Sequence, residues 1–154
     1  MIYTKPITID ANTSESSPRE DFINISTGVI HKVEVLFPPG CAGLVGVRIH
    51  QGGHQIYPTD TEAFISDAET ISFNDYHIVQ RGYTSLRILS YNTDTLYAHT
   101  IYLRFGVLKE WQINPQQALN RVSNTIEVLT HAISGFMDKL IQKEEGEENG
   151  EMEI

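Results

Sequence analysis

The stretch VIHKVEVLFPPGCAGLVGVRIHQGGHQIYP, residues 29–58, decides the fold. Val29 to Phe37 alternates, with Val29, His31, Val33, Val35 and Phe37 on one face, as a half-buried strand does. Pro38-Pro39-Gly40 ends it, because proline donates no backbone hydrogen bond and glycine turns freely. Leu44 to His50 alternates again, with Val45, Val47 and Ile49 inward and Gly46, Arg48 and His50 outward. Gly52-Gly53 reads as a hairpin turn, and His54 to Tyr57 as a short strand closed by Pro58.

The same pattern runs outward in both directions. Residues 2–10, IYTKPITID, have strand character, but Pro6 confines them to an edge strand or an arm paired on one side. Residues 11–19 form a polar loop, and Asp21 to Ser26 places Ile23 and Ile25 opposite Phe22 and Asn24. Beyond Pro58, Thr59 to Asp67 is a connection with room for one helical turn at Thr61–Phe64. Glu69–Phe73 and His77–Gln80 read as two short strands around Asn74-Asp75. Ser85 to Tyr91 alternates, and Leu96 to Leu108 is a long, aromatic-rich final strand expected at the centre of a sheet. Eight or nine strands in roughly 105 residues, with no helix between them, indicate an antiparallel sandwich. That number suits a jelly roll better than a seven-strand immunoglobulin domain, whose Cys…Trp…Cys marker is missing.

After the strands the period changes. In PQQALNRVSNTIEVLTHAISGFMDKLIQK, residues 115–143, Leu119, Val122, Ile126, Leu129, Ile133, Phe136 and Leu140 recur at alternating spacings of three and four. That is a heptad seam, with Leu119, Ile126, Ile133 and Leu140 at one core position and Val122, Leu129 and Phe136 at the other. The neighbours Asn120, Arg121, Ser123, Asn124, Glu127 and Thr130 are polar, whereas Val128, Ala132 and Met137 widen the apolar face. Two arrangements satisfy the pattern: an oligomerisation stem, or an amphipathic helix capping the chain's own sheet. The stem is the expectation carried forward, and the core residues leave the number of helices open. Asn114 is the expected cap, Pro115 the first helical residue, and Trp111 a plug between head and helix. The chain is thus divided into an all-β head at 1–111, with an N-terminal arm and loop at 1–19, a C-terminal helix at 114–143 and a flexible acidic tail at 144–154.

Composition narrows the function. The formal charge is −9, yet Glu144, Glu145, Glu147, Glu148, Glu151 and Glu153 supply six of the 20 acids, leaving the rest of the chain nearly neutral. No Lys/Arg cluster marks a nucleic-acid surface, and no apolar run has the length of a membrane span. The N-terminus lacks the pattern of a signal peptide. The single cysteine, Cys41, reads as a small buried or turn residue. His50 and His54, with Glu62, His77 and His99, invite comparison with a cupin metal site. However, the two histidines flank a Gly-Gly turn, which argues for polar turn residues instead of ligands. Tyr57, Tyr76, Tyr83, Tyr91 and Tyr97 cluster near strand ends and suit a sugar-binding face or a subunit interface. No nucleophile elbow, phosphate loop, CxxC or HExxH motif occurs, so the expectation is a non-enzymatic protein without cofactor or metal.

The runs at 28–58 and 85–108 carry a resemblance. The Phe37-Pro38-Pro39-Gly40 turn, the Gln55-Ile56-Tyr57-Pro58 strand end and the Tyr91-Asn92…Asp94…His99 hairpin resemble those of small jelly-roll virion proteins of tailed bacteriophages. The resemblance covers residues 22–108 and carries over no catalytic residue. It implies a structural role in decorating, cementing or connecting parts of a capsid. It also implies a homotrimer that binds other virion structural proteins, made in a host cytoplasm and located in the virion. The alternative from the tyrosines is a carbohydrate-binding β-sandwich module. The third is a cupin-like metal site.

Overall fold

The strand at residues 29–37 lies inside one of two antiparallel sheets. The structure, a computed structural model, describes residues 1–113 and 115–150. In chain order it contains β1 (Ile2–Ile9), β2 (Arg19–Asn24), β3 (Gly28–Phe37), β4 (Val45–Gln51), β5 (His54–Tyr57), β6 (Phe64–Ile65), β7 (Glu69–Val79), β8 (Ser85–Asn92), β9 (His99–Leu108), α1 (Glu110–Ile113) and α2 (Pro115–Gly150). One sheet has the order β1-β9-β3-β7, the other β2-β8-β4-β5, with β6 paired to β4. Each sheet interleaves early and late strands, which is the winding of a jelly roll. The fold is therefore an all-β, jelly-roll-like sandwich followed by a C-terminal helix, as the sequence indicates.

The period-2 faces meet between the sheets. Ile7 and Ile9, Val33, Val35 and Phe37, and Ile101, Leu103, Phe105 and Val107 line one inner face. Ile23, Val45, Val47, Ile49, Leu86 and Ile88 line the other. Each fully buried Val, Leu, Ile or Phe contributes about 1.5–3 kcal/mol relative to exposure. Cross-strand rows hold the register: Val33 faces Phe105 on one side and Phe73 on the other, and Val35 faces Leu103 and Ile71.

Several details differ from the sequence reading. The alternation of β3 does not run unbroken, because the ladders shift register between Ile30 and Lys32. His31 is the extra residue against β9, so Ile30 joins the core and His31 leaves it. Opposite the same point, Asp75 and Tyr76 of β7 face the single residue His31, which lets β7 run on as one strand. Asp75-Tyr76 therefore makes a bulge where a break at Asn74-Asp75 is expected between two short strands. The helical turn expected at Thr61–Phe64 is absent; Phe64 extends to pair with Val47 and packs against Phe73 at 5.8 Å. The last strand starts at His99, not Leu96, because Asp94 holds the preceding loop. Its carboxylate accepts from the backbone N–H of Leu96 (2.8 Å) and Tyr97 (3.2 Å) and from His99 Nε2 (2.8 Å). β1 is an edge strand paired to β9 from Ile2↔Gly106 to Ile9↔His99, with Pro6 on that edge as its missing N–H requires.

Asn92 is the buried polar residue that joins these parts. Its side-chain amide donates to the carbonyls of Ile9 (3.2 Å) and Tyr97 (2.9 Å) and accepts from Asp94 N (3.0 Å). The chain divides into two compact units, Met1–Glu110 and the part from Trp111 onward. In the second unit α2 starts at Pro115 and runs to Gly150, past Lys143 where the sequence reading ends the helix. The proposed cap Asn114 and the tail residues Glu151 and Glu153 lie outside the described residues. Trp111 is 41% exposed. It stands on the four-residue α1, one turn after β9 has ended.

Candidate functional site

The local sequence of α2 explains its surface. Straight-chain and aliphatic residues favour the helix, and Thr125 and Thr130 return their hydroxyls to the carbonyls of Arg121 (2.9 Å) and Ile126 (2.8 Å). A 3-4 spacing on a helix of 3.6 residues per turn forms a narrow stripe. Leu119, Val122, Ile126, Leu129, Ile133, Phe136 and Leu140 make that stripe, and each is between 43% and 63% exposed. Val128, Met137 and Ile141 are exposed beside it. Seven seam residues are thus in register on one helix, with their apolar surface facing water. The register ends where the next core positions fall on Lys143 and Glu147.

The histidines of the head are dispersed in role. His54 is exposed on β5. His50 is half-buried on the outer face of its sheet, opposite Arg87 across the ladder, and both ring nitrogens lack a hydrogen-bond partner. Burial, with Arg87 and Arg48 nearby, pushes its pKa below the ordinary imidazole value, so the ring is neutral at pH 7. The reading of His50 as an exposed turn residue is therefore corrected. His77 Nε2 meets Gln51 Oε1 at 2.7 Å, and His99 meets Asp94. Among the described residues no group of three or more His, Cys, Asp or Glu side chains is arranged to hold a metal ion. Cys41 is buried, and burial raises its pKa, which keeps the thiol protonated.

The tyrosines separate into two kinds. Tyr57 and Tyr91 are not surface residues. Tyr57 donates its hydroxyl to Asp75 Oδ2 at 2.7 Å and packs edge-on to Phe73. Burial first, and the Asp75 carboxylate second, push its pKa far above the ordinary phenol value. Tyr91 lies over Gly46, where a Cβ would come within 2.2 Å of its ring, and Arg48 sits 5.9 Å from the ring centroid. Glycine is the residue that leaves room for that ring. Tyr76, Tyr83 and Tyr97 are exposed.

Two clefts lie along the side of the sandwich edged by β5 and β7. One, of about 310 Å³, is lined by Tyr57, Pro58, Phe64 and Phe73. The other, of about 460 Å³, lies between the β4–β5 turn and the β7–β8 loop and was not singled out from the sequence. Its residues are distant along the chain, and only the topology unites them.

No family model and no curated protein matches the chain. Among solved structures, a chain from Bacillus endospore appendages, described as forming a novel family of disulfide-linked pili, aligns over 70% of this chain and 89% of its own. The identity is 16% and the TM-score 0.28, a likeness too slight to carry an argument. Among the described residues no helix is long and apolar enough to cross a membrane.

Proposed function

We propose that this is a non-enzymatic structural protein of a tailed-bacteriophage virion. It assembles as a homotrimer through α2 and decorates, cements or connects capsid components. The observation that carries the reading is the exposed seam of α2. Seven apolar side chains at heptad spacing are self-complementary, so the occupant they fit is a second copy of the same helix. Burying them would contribute on the order of 10 kcal/mol per chain before the entropy of association is subtracted. The sequence resemblance at residues 22–108 supplies the virion assignment and the trimer.

The mechanism is burial of surface. The stem holds the heads at high mutual concentration, and each head adds a weak contact to a neighbouring virion subunit. The free side of the edge strand β1 can accept a strand from that subunit by main-chain pairing. Two measurements test this. A chain truncated after Asn114 should be a folded monomer by light scattering, since the head packs a complete core of its own. Mass spectrometry of purified particles should find the chain among their structural components. A truncated head that keeps the oligomeric mass of the full chain would remove the stem, and absence from the particles would remove the virion role.

A further inference from the structure

We propose that the cleft between the β4–β5 turn and the β7–β8 loop binds a neutral oligosaccharide. The cleft has a volume of about 460 Å³, and Gln51, His54, His77, Gln80 and Tyr83 converge on it. This goes beyond the assembly role and rests on different residues.

The cleft has an aromatic platform. Tyr83 is 53% exposed, and its ring lies against Gly52, where a Cβ would approach within 2.9 Å. Glycine at that turn, with φ of 57°, both permits the backbone conformation and admits the ring. The backbone that carries the platform is also held before any ligand arrives. Gln51 Nε2 donates to the Tyr83 carbonyl at 2.8 Å, and Tyr83 N donates to the Gln80 carbonyl at 3.1 Å. Because its nitrogen is engaged there, Gln51 presents its oxygen to His77 Nε2 at 2.7 Å. His77 Nε2 is then the donor of that bond. A site ordered in advance loses less entropy on binding.

The chemistry of the walls selects the ligand. They offer amides, imidazoles and the side chains of Ile56 and Ile78, but no carboxylate, lysine or arginine. A phosphate, a sulfate or a metal ion would find no opposite charge, and a wholly apolar ligand would leave the amides unpaired. A neutral sugar has hydroxyls around its edge for the amides and imidazoles. Its C–H face suits the negative face of a tyrosine ring. Tyr57, the other tyrosine raised by the sequence, contributes nothing here because it is buried against Phe73 and Asp75.

The test is calorimetric titration of the full chain with laminarihexaose, cellohexaose, mannohexaose and chitohexaose, with a heparin hexasaccharide as the charged control. The expected result is saturable binding of at least one neutral hexasaccharide, weakened about tenfold or more by Tyr83→Ala and measurably by Gln80→Ala. Tyr97→Ala, which alters an exposed tyrosine on another loop, should leave that binding unchanged. Absence of saturable binding to every neutral probe overturns the proposal. Binding that survives Tyr83→Ala, or binding of the heparin fragment alone, overturns it as well.

Discussion

The head buries a core of large apolar side chains between its sheets, and the helix exposes an apolar stripe. Phe37, Phe105, Ile49 and Leu86 are fully buried between two sheets, whereas every seam residue of α2 from Leu119 to Leu140 stands largely in water. Both regions read well as patterns, with period 2 in one and 3.5 in the other. The difference lies in what closes each pattern. A sandwich closes on itself, because two sheets bury each other. A single helix with one seam does not close on itself, and under the proposed function a second copy closes it. The head packs a core of its own, and the proposed role of the helix is assembly.

Changes in the head test the first half of that contrast. Phe105→Ala, at the centre of β9, should lower head stability by about 3–5 kcal/mol in chemical denaturation. It should leave the oligomeric mass intact wherever the head remains folded. A loss of oligomer from that change alone would mean that the head, not the helix, holds the copies together. Asn92→Ala should cost about 1–3 kcal/mol, because the carbonyls of Ile9 and Tyr97 lose their buried donor. Hydrogen exchange should show the effect concentrated in residues 93–98 and at the end of β1.

A smaller effect concerns pH. Asp94 has a pKa below the ordinary carboxylate value, first from the Leu96 N–H, then from His99 and the Tyr97 N–H. A carboxylate depressed in the folded state stabilises that state at pH values above its unfolded pKa, near 3.9. That stability is lost as pH falls through the lower folded value. Head melting should therefore decline as pH drops below about 4, and Asp94→Asn should remove part of the decline. If both proteins gave the same pH profile, Asp94 would not be the group that ties the β8–β9 loop.

What could be read in the sequence follows the range of each interaction. The strands around Val33, Val47 and Ile88 were legible because alternation is local and their inner faces are apolar. The seam of α2 was legible residue by residue for the same reason. The bulge at His31 was not, because an extra residue leaves a run of β-formers looking regular. Its partner in β7, the bulge at Asp75-Tyr76, overlaps Asn74-Asp75, which resembles a turn until β3 is placed beside it. Tyr57 and Tyr91 resembled surface aromatics, since neither the Asp75 carboxylate nor the bare backbone of Gly46 is near them in sequence. The cleft at Tyr83 was likewise hidden, although Tyr83, His77 and the Gly52 turn were all noticed separately. Trp111 reads as a plug from its place just past the last strand and its ring size, and it stands part-exposed on the short α1.

The most direct measurement is the solution mass of the full chain beside that of the Ile126→Glu, Ile133→Glu double variant, by light scattering. Both substitutions place charge at exposed seam positions of α2 and alter no residue of the head's core. The account predicts a mass about three times that of the 17.4 kDa chain for the parent and a single-chain mass for the variant, with the β-sheet circular dichroism of the head unchanged. An equal mass for the two proteins, oligomeric or monomeric, would contradict it.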